Sequence, residues 1–105
     1  MTTRRQRRGR DAERAVARYL GGDAERIAGV GRRDVDGGWY AAEIKEREKP
    51  LPRWLLDAIE QAERLARPDQ LAIAVFHHLG DSRGEDLVVM RLREFRDRFC
   101  GEGDK

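Results

Sequence analysis

A chain of 105 residues, 39% hydrophobic and 40% charged, has material for one compact domain, since two would each be too small to bury a useful core. Its 22 basic and 20 acidic residues balance and apolar segments recur from Ala12 to Phe99, which argues against disorder through excess charge, and no run approaches the ~18 apolar residues that a membrane span needs. The arginine-rich N-terminus has no apolar stretch behind it to make a secretory signal, and the single cysteine, Cys100, makes no internal disulfide, so a reducing, cytoplasmic location is expected.

The charge is unevenly placed. Residues 1–10 hold five arginines, Arg4, Arg5, Arg7, Arg8 and Arg10, and no acid, so the remaining 17 bases and 20 acids form an acidic-leaning body behind a basic arm. Arms of this kind commonly bind nucleic acid or another polyanion, the alternative being a solvated disordered tail. Residues 1–9 are predicted as a flexible arm, 10–100 as the folded domain and 101–105 as a disordered tail. Asp11 is a predicted N-cap for a helix to about Leu20, ended by Gly21-Gly22, with Ala12, Ala15, Val16, Tyr19 and Leu20 at helical spacing. Residues 24–28 predict a short strand. Residues 32–36 and 39–46 predict a hairpin around Gly37-Gly38, a two-residue turn that needs positive φ.

Pro52 suits the first turn of a second helix. Its buried stripe is Trp54, Leu55, Ala58, Ile59, Ala62, Leu65 and Ala66, and Pro68 lies beyond its end. Leu71 to Phe76 is apolar on both faces, as a central strand should be. Gly80 to Gly84 reads as a polar loop and Leu87 to Met90 as another strand; Leu92, Phe95 and Phe99 mark a short final helix. The order α-β-β-β-α-β-β-α predicts an α/β domain with a mixed sheet.

The segment Arg32 to Glu48, RRDVDGGWYAAEIKERE, carries the chemistry. Alternate strand residues share a face, so Trp39, Ala41, Glu43 and Lys45 fall on one side and Tyr40, Ala42 and Ile44 on the other. A carboxylate and an amine at i and i+2 on a mostly apolar strand are costly unless paired or used. With a two-residue turn, Asp34 faces Ala41 and is a diagonal neighbour of Glu43, about 7–8 Å away at Cβ. Asp36 then stands roughly 13 Å along the strand from the position opposite Glu43, at ~3.4 Å per residue, and is left to the turn. An irregular hairpin reopens that choice. Two carboxylates around one point suit a hard cation such as Mg²⁺, with Mn²⁺ a natural substitute, and such an ion activates water and polarises phosphoryl oxygens. Lys45 beside it would stabilise developing charge or orient the water. Taking Ala12 as zero, Glu13 lies at about 100° and Leu20 at about 80° around the first helix. Glu13 therefore sits at the edge of the buried stripe and is a candidate third ligand, direct or through water.

Asp34, eight residues, then Glu43-Ile44-Lys45, after a helix bearing Glu13, resembles the core of the PD-(D/E)XK nucleases, and within them the archaeal and phage type of Holliday junction resolvase. The resemblance covers residues 9 to about 78. It implies a restriction-endonuclease-like mixed β-sheet flanked by helices, and a Mg²⁺-dependent homodimer that cuts four-way DNA junctions symmetrically. It implies Asp34 and Glu43 as metal ligands, Lys45 as the catalytic lysine and Glu13 as the helix-borne acid. Arg14 matches a basic residue that often follows that acid, and Gln61 falls where related nucleases sometimes carry a functional glutamine. Arg33 stands where the motif's name has proline, and Asp36 offers a competing aspartate.

Arg32, Arg33, Arg47 and Lys49 flank the expected site and, with the arginines of the arm, are candidate DNA contacts. A junction is recognised by shape, so no base-reading motif is required. His77-His78 follows an interior strand without zinc-site spacing and reads as strand-end surface or DNA contact. Trp54 reads as core or dimer interface, and no paired base marks Cys100 as a nucleophile. The alternatives are a restriction-like or repair endonuclease on other DNA, a non-catalytic DNA-binding module of the same fold, and a protein-interaction domain whose arm binds an acidic partner.

Overall fold

The computed structural model describes residues 4–21, 25–26 and 34–100, with side chains for 11–21 and 35–100. It is a small α/β chain with helices and two antiparallel sheets. In order, α1 spans Arg4–Tyr19, β1 Glu25–Arg26, β2 Asp34–Asp36, β3 Ala41–Glu43, α2 Arg53–Leu65, β4 Ala74–Phe76, β5 Leu87–Val89 and α3 Leu92–Phe95, with a 3-10 turn at Arg83–Glu85 and a π turn at Arg96–Cys100. Among the described residues this is the predicted order of elements. No helix is long and apolar enough to cross a membrane, among those residues. The chain divides into two compact units, Met1–Glu48 with Phe99–Lys105, and Lys49–Arg98.

In the first unit α1 packs on β1 and β2, and the sheet runs β1-β2-β3. The helix begins at Arg4 rather than at the predicted cap Asp11, so residues 4–9 of the expected arm continue the helix. Arginine is a good helix former, and one interior glycine, Gly9, costs only about 1 kcal/mol. The end falls as predicted: Leu20 N–H still donates to the Val16 carbonyl at 3.0 Å, and Gly21 takes φ 120°, a conformation that suits glycine. Leu20 and Val35 are the buried apolar side chains of the described part of this unit.

In the second unit Pro52 sits at the N-cap of α2 with φ −56°, and its carbonyl accepts from Leu55 and Leu56. Ile59 is the buried centre of the predicted stripe. The ends of that stripe differ from expectation. Trp54 is 64% exposed and meets Phe76 edge-to-face at 5.5 Å, and Leu65 lies open to solvent. Among the described residues β4 pairs with β5 alone, in register Ala74↔Val89, Val75↔Val88 and Phe76↔Leu87. The expected mixed sheet is therefore corrected: every strand pair among the described residues is antiparallel. Leu71 to Phe76 is not a strand covered on both faces either. Ala74 and Phe76 are half-buried on the α2 side, while Val75 and Val88 are exposed.

A polar clasp joins α2 to the segment around α3. Arg91 donates from Nε at 3.0 Å and from Nη2 at 3.3 Å to the Glu63 carboxylate, and Arg93 Nη2 adds a third bond at 2.9 Å. The Arg91 hydrogen bond and the two positive charges hold the Glu63 carboxyl below its ordinary 4.5. A carboxyl depressed in the folded state contributes stability above its unfolded pKa and loses it as pH falls through the folded value. Glu63→Gln is therefore expected to lower the melting temperature near neutrality. The gap to the wild type should close as pH falls from about 6 to about 3, a profile that thermal unfolding followed by circular dichroism will read.

Candidate metal centre

The hairpin β2–β3 holds the predicted residues in a register two residues away from the expected one. Asp34 pairs with Glu43, Val35 with Ala42 and Asp36 with Ala41. The turn is a four-residue loop, Gly37 to Tyr40, closed by Gly37 N–H donating to the Tyr40 carbonyl at 2.9 Å. Three local features widen it. Asp36 Oδ1 accepts from Gly38 N–H at 2.9 Å, so the aspartate folds over its own turn. Gly38 supplies φ 89°. The Tyr40 ring lies where a side chain on residue 37 would stand, so any other residue there would displace the ring. Trp39, expected on the strand beside Glu43, lies instead in the loop, edge-on to Tyr40 at 4.8 Å and to Phe99 at 6.1 Å.

The new register changes the acid geometry. Positions 34 and 43 are directly opposed, about 4.5–5.5 Å apart at Cβ rather than on a diagonal. Asp36, expected to stand too far away, becomes the diagonal neighbour of Glu43, within about 7–8 Å at Cβ. The alternation of faces is as predicted. Ala41, Glu43 and Lys45 are exposed, while Ala42 and Ile44 are half-buried and Val35 is fully buried opposite Ala42. Lys45 Nζ lies 3.7 Å from Glu43 Oε2, and the two side chains are 83% and 67% exposed. An exposed pair of this kind contributes little to stability, so it rearranges readily when a third charge arrives.

Glu13 is 2% exposed, the one buried charged side chain among the described residues. It is seven residues from buried Leu20, about 20° away around the helix, and so lies at the centre of the packed face rather than its edge. A carboxylate buried in that setting needs a hydrogen-bonding or charged partner to offset its lost hydration.

The other predicted residues fall as follows. Arg14 is exposed on α1, Arg47 and Lys49 are exposed after β3, and Gln61 is exposed on α2 in the second unit. Arg32 and Arg33, and the side chains of Asp34, Arg4, Arg5, Arg7, Arg8 and Arg10, lie outside the described residues. Among the described residues no three His, Cys, Asp or Glu side chains already converge on one point. The hairpin register sets positions 34 and 43 opposite one another and position 36 on the diagonal, and the carboxylate residue types at those positions are the kind that suit a hard divalent cation. Burial pushes the Cys100 thiol above 9.0, which keeps it protonated and poorly nucleophilic, and burial, aided by Cys100, likewise raises the Tyr40 hydroxyl.

One arrangement escaped the sequence reading. His77 Nδ1 lies 2.5 Å from Asp86 Oδ1, and Arg83 Nη1 donates to Asp86 Oδ2 at 3.2 Å. Nine residues separate His77 from Asp86, and only the closure of β4 on β5 brings them together. A carboxylate only accepts, so Nδ1 is the donor in this contact. His78 is exposed, 3.4 Å from Asp81. Comparison of the chain with protein-family models, with curated proteins and with solved structures finds no match.

Proposed function

We propose that the chain is a Mg²⁺-dependent, structure-selective DNA endonuclease that cuts four-way junctions symmetrically as a homodimer. The observation that carries this reading is the hairpin register, which sets Asp34 across from Glu43 and leaves Lys45 two residues further along the same exposed face. The likeness to the restriction-endonuclease fold is proposed from the order of elements and the Asp34, Glu43-Ile44-Lys45 pattern alone, since every described strand pair is antiparallel and the mixed sheet of that fold is not among them.

Asp34 and Glu43 would hold the ion from the exposed face of the hairpin, whereas Glu13, expected as a third ligand, is buried on the packed side of the sheet with Val35 and is not part of the proposed site. When bound, the ion polarises a phosphoryl oxygen and lowers the pKa of a water molecule. Glu43 orients that water by accepting a hydrogen bond. Lys45 would leave Glu43 to neutralise the extra negative charge on the phosphoryl oxygens as water attacks phosphorus. The P–O bond to the departing sugar oxygen breaks, and the water's proton balances the charge left on that oxygen. Two copies related by a two-fold axis match paired cuts on a four-armed substrate.

A labelled four-way junction incubated with the chain, with and without Mg²⁺ and beside a linear duplex of the same sequence, tests the reading. Paired cuts are expected in the junction arms with Mg²⁺ alone, and the duplex should remain whole. Equal cutting of flap, nicked or linear DNA would assign a restriction-like or repair activity instead. Binding without any nicking would make the chain a DNA-binding module.

A further inference from the structure

The arginines of the N-terminal segment are part of α1, which runs without interruption from Arg4 to Tyr19. Helical rotation then sorts them. With position 4 at zero and about 100° per residue, positions 8, 7, 18, 14 and 10 fall at about 40°, 300°, 320°, 280° and 240°. Together with position 4 they span an arc of about 160°, whereas position 5 falls outside it at about 100°. The packed residues Val16, Leu20 and Glu13 fall at about 120–180°, on the opposite side. The exposures in the described part of the helix match this division: Asp11, Arg14, Ala15 and Arg18 are exposed, and Glu13 and Leu20 are buried.

We propose that this face of α1 is a rigid rail for the phosphate backbone of duplex DNA, carried by Arg4, Arg7, Arg8, Arg10, Arg14 and Arg18, with Arg5 off the rail. Fourteen steps of about 1.5 Å from position 4 to position 18 make a rail of about 21 Å. Six arginine positions over that length average one about every 4 Å of helix axis, comparable to the phosphate spacing of about 3.4 Å per strand along a DNA axis. Guanidinium forks also match phosphate oxygens bidentately. Asp11, at about 340°, is the single acid on the face and leaves a net of five positive charges. An anionic membrane is a poorer fit. A surface-lying helix inserts its apolar face into lipid, and the apolar face of α1 is packed against β1 and β2.

The rail is independent of turnover, so the test is run on the full chain in EDTA. Duplex and junction affinities are measured from about 50 to about 200 mM salt, the range over which phosphate contacts show their counterion release. Arg8→Ala, Arg14→Ala and Arg18→Ala are each expected to reduce the slope of log K against log salt by about 0.9, the value of one phosphate contact. Arg5→Ala should leave the slope unchanged. An Arg5→Ala slope reduced as much as that of Arg8→Ala would overturn the rail, because a disordered tail uses every arginine alike. So would slopes unmoved by all four changes, or binding to phosphatidylserine vesicles without salt-dependent binding to duplex. An inactive nuclease leaves the rail standing, and a failed rail leaves the carboxylates of the hairpin untouched.

Discussion

Glu43→Gln is expected to abolish Mg²⁺-dependent cleavage of a four-way junction while leaving junction binding intact. The change removes one negative charge and one hard oxygen donor and keeps the size of the side chain. Glu43 is exposed on a strand whose opposite face supplies the packing, so fold and stability should not move. Loss of a single electrostatic contact in an active site costs about 10²–10³ in rate, and loss of a ligand to the ion should exceed that. Asp34→Asn, across the hairpin, should match it. Binding followed by gel shift in EDTA and cleavage followed with Mg²⁺ separate the two effects. Either variant cutting at the wild-type rate would show that the site lies elsewhere.

Ile59→Ala should be the most destabilising simple truncation in the second unit. Ile59 is 3% exposed at the centre of α2, and Ala72, with little to lose, is the other buried apolar residue of that unit. Truncating a buried isoleucine costs about 2–5 kcal/mol, from the lost transfer term and the cavity left behind. Against a total stability of about 5–15 kcal/mol that is a large fraction. With each kcal/mol worth about 4–8 °C in a domain of this size, a fall of 10 °C or more in melting temperature is expected. Calorimetry reads it directly. A fall of less than about 2 °C would place the centre of the unit on other residues.

Much of the secondary structure was legible because it depends on local signals. Gly21 stops α1, Pro52 opens α2, and the alternation from Ala41 to Lys45 sets the faces of β3, all within a few residues of the effect. Register was not legible in the same way. Gly37-Gly38 reads as a two-residue turn, but the bond from Gly38 N–H to Asp36 and the placement of the Tyr40 ring over Gly37 favour four, and both depend on side-chain geometry. The start of α1 was missed because a run of arginines satisfies a helix and a solvated arm equally well by composition. Leu71 to Phe76 promised a covered strand because apolarity on both faces does not say what does the covering. The His77–Asp86 contact was invisible because the strands must pair before the two meet. For the candidate site, the residue types and their order along the chain could be read, and their separation could not.

The loop from Gly37 to Tyr40 has a consequence for how tolerant the hairpin is to change. Because side chains alternate with every residue, sliding β2 past β3 by a single step would throw one acid to the far side of the ribbon. Insertions and deletions in this tip should therefore be punished far more than substitutions at most of its neighbours. The length of a connector at the far end of the ribbon is what keeps the spacing between Asp34 and Glu43 from drifting.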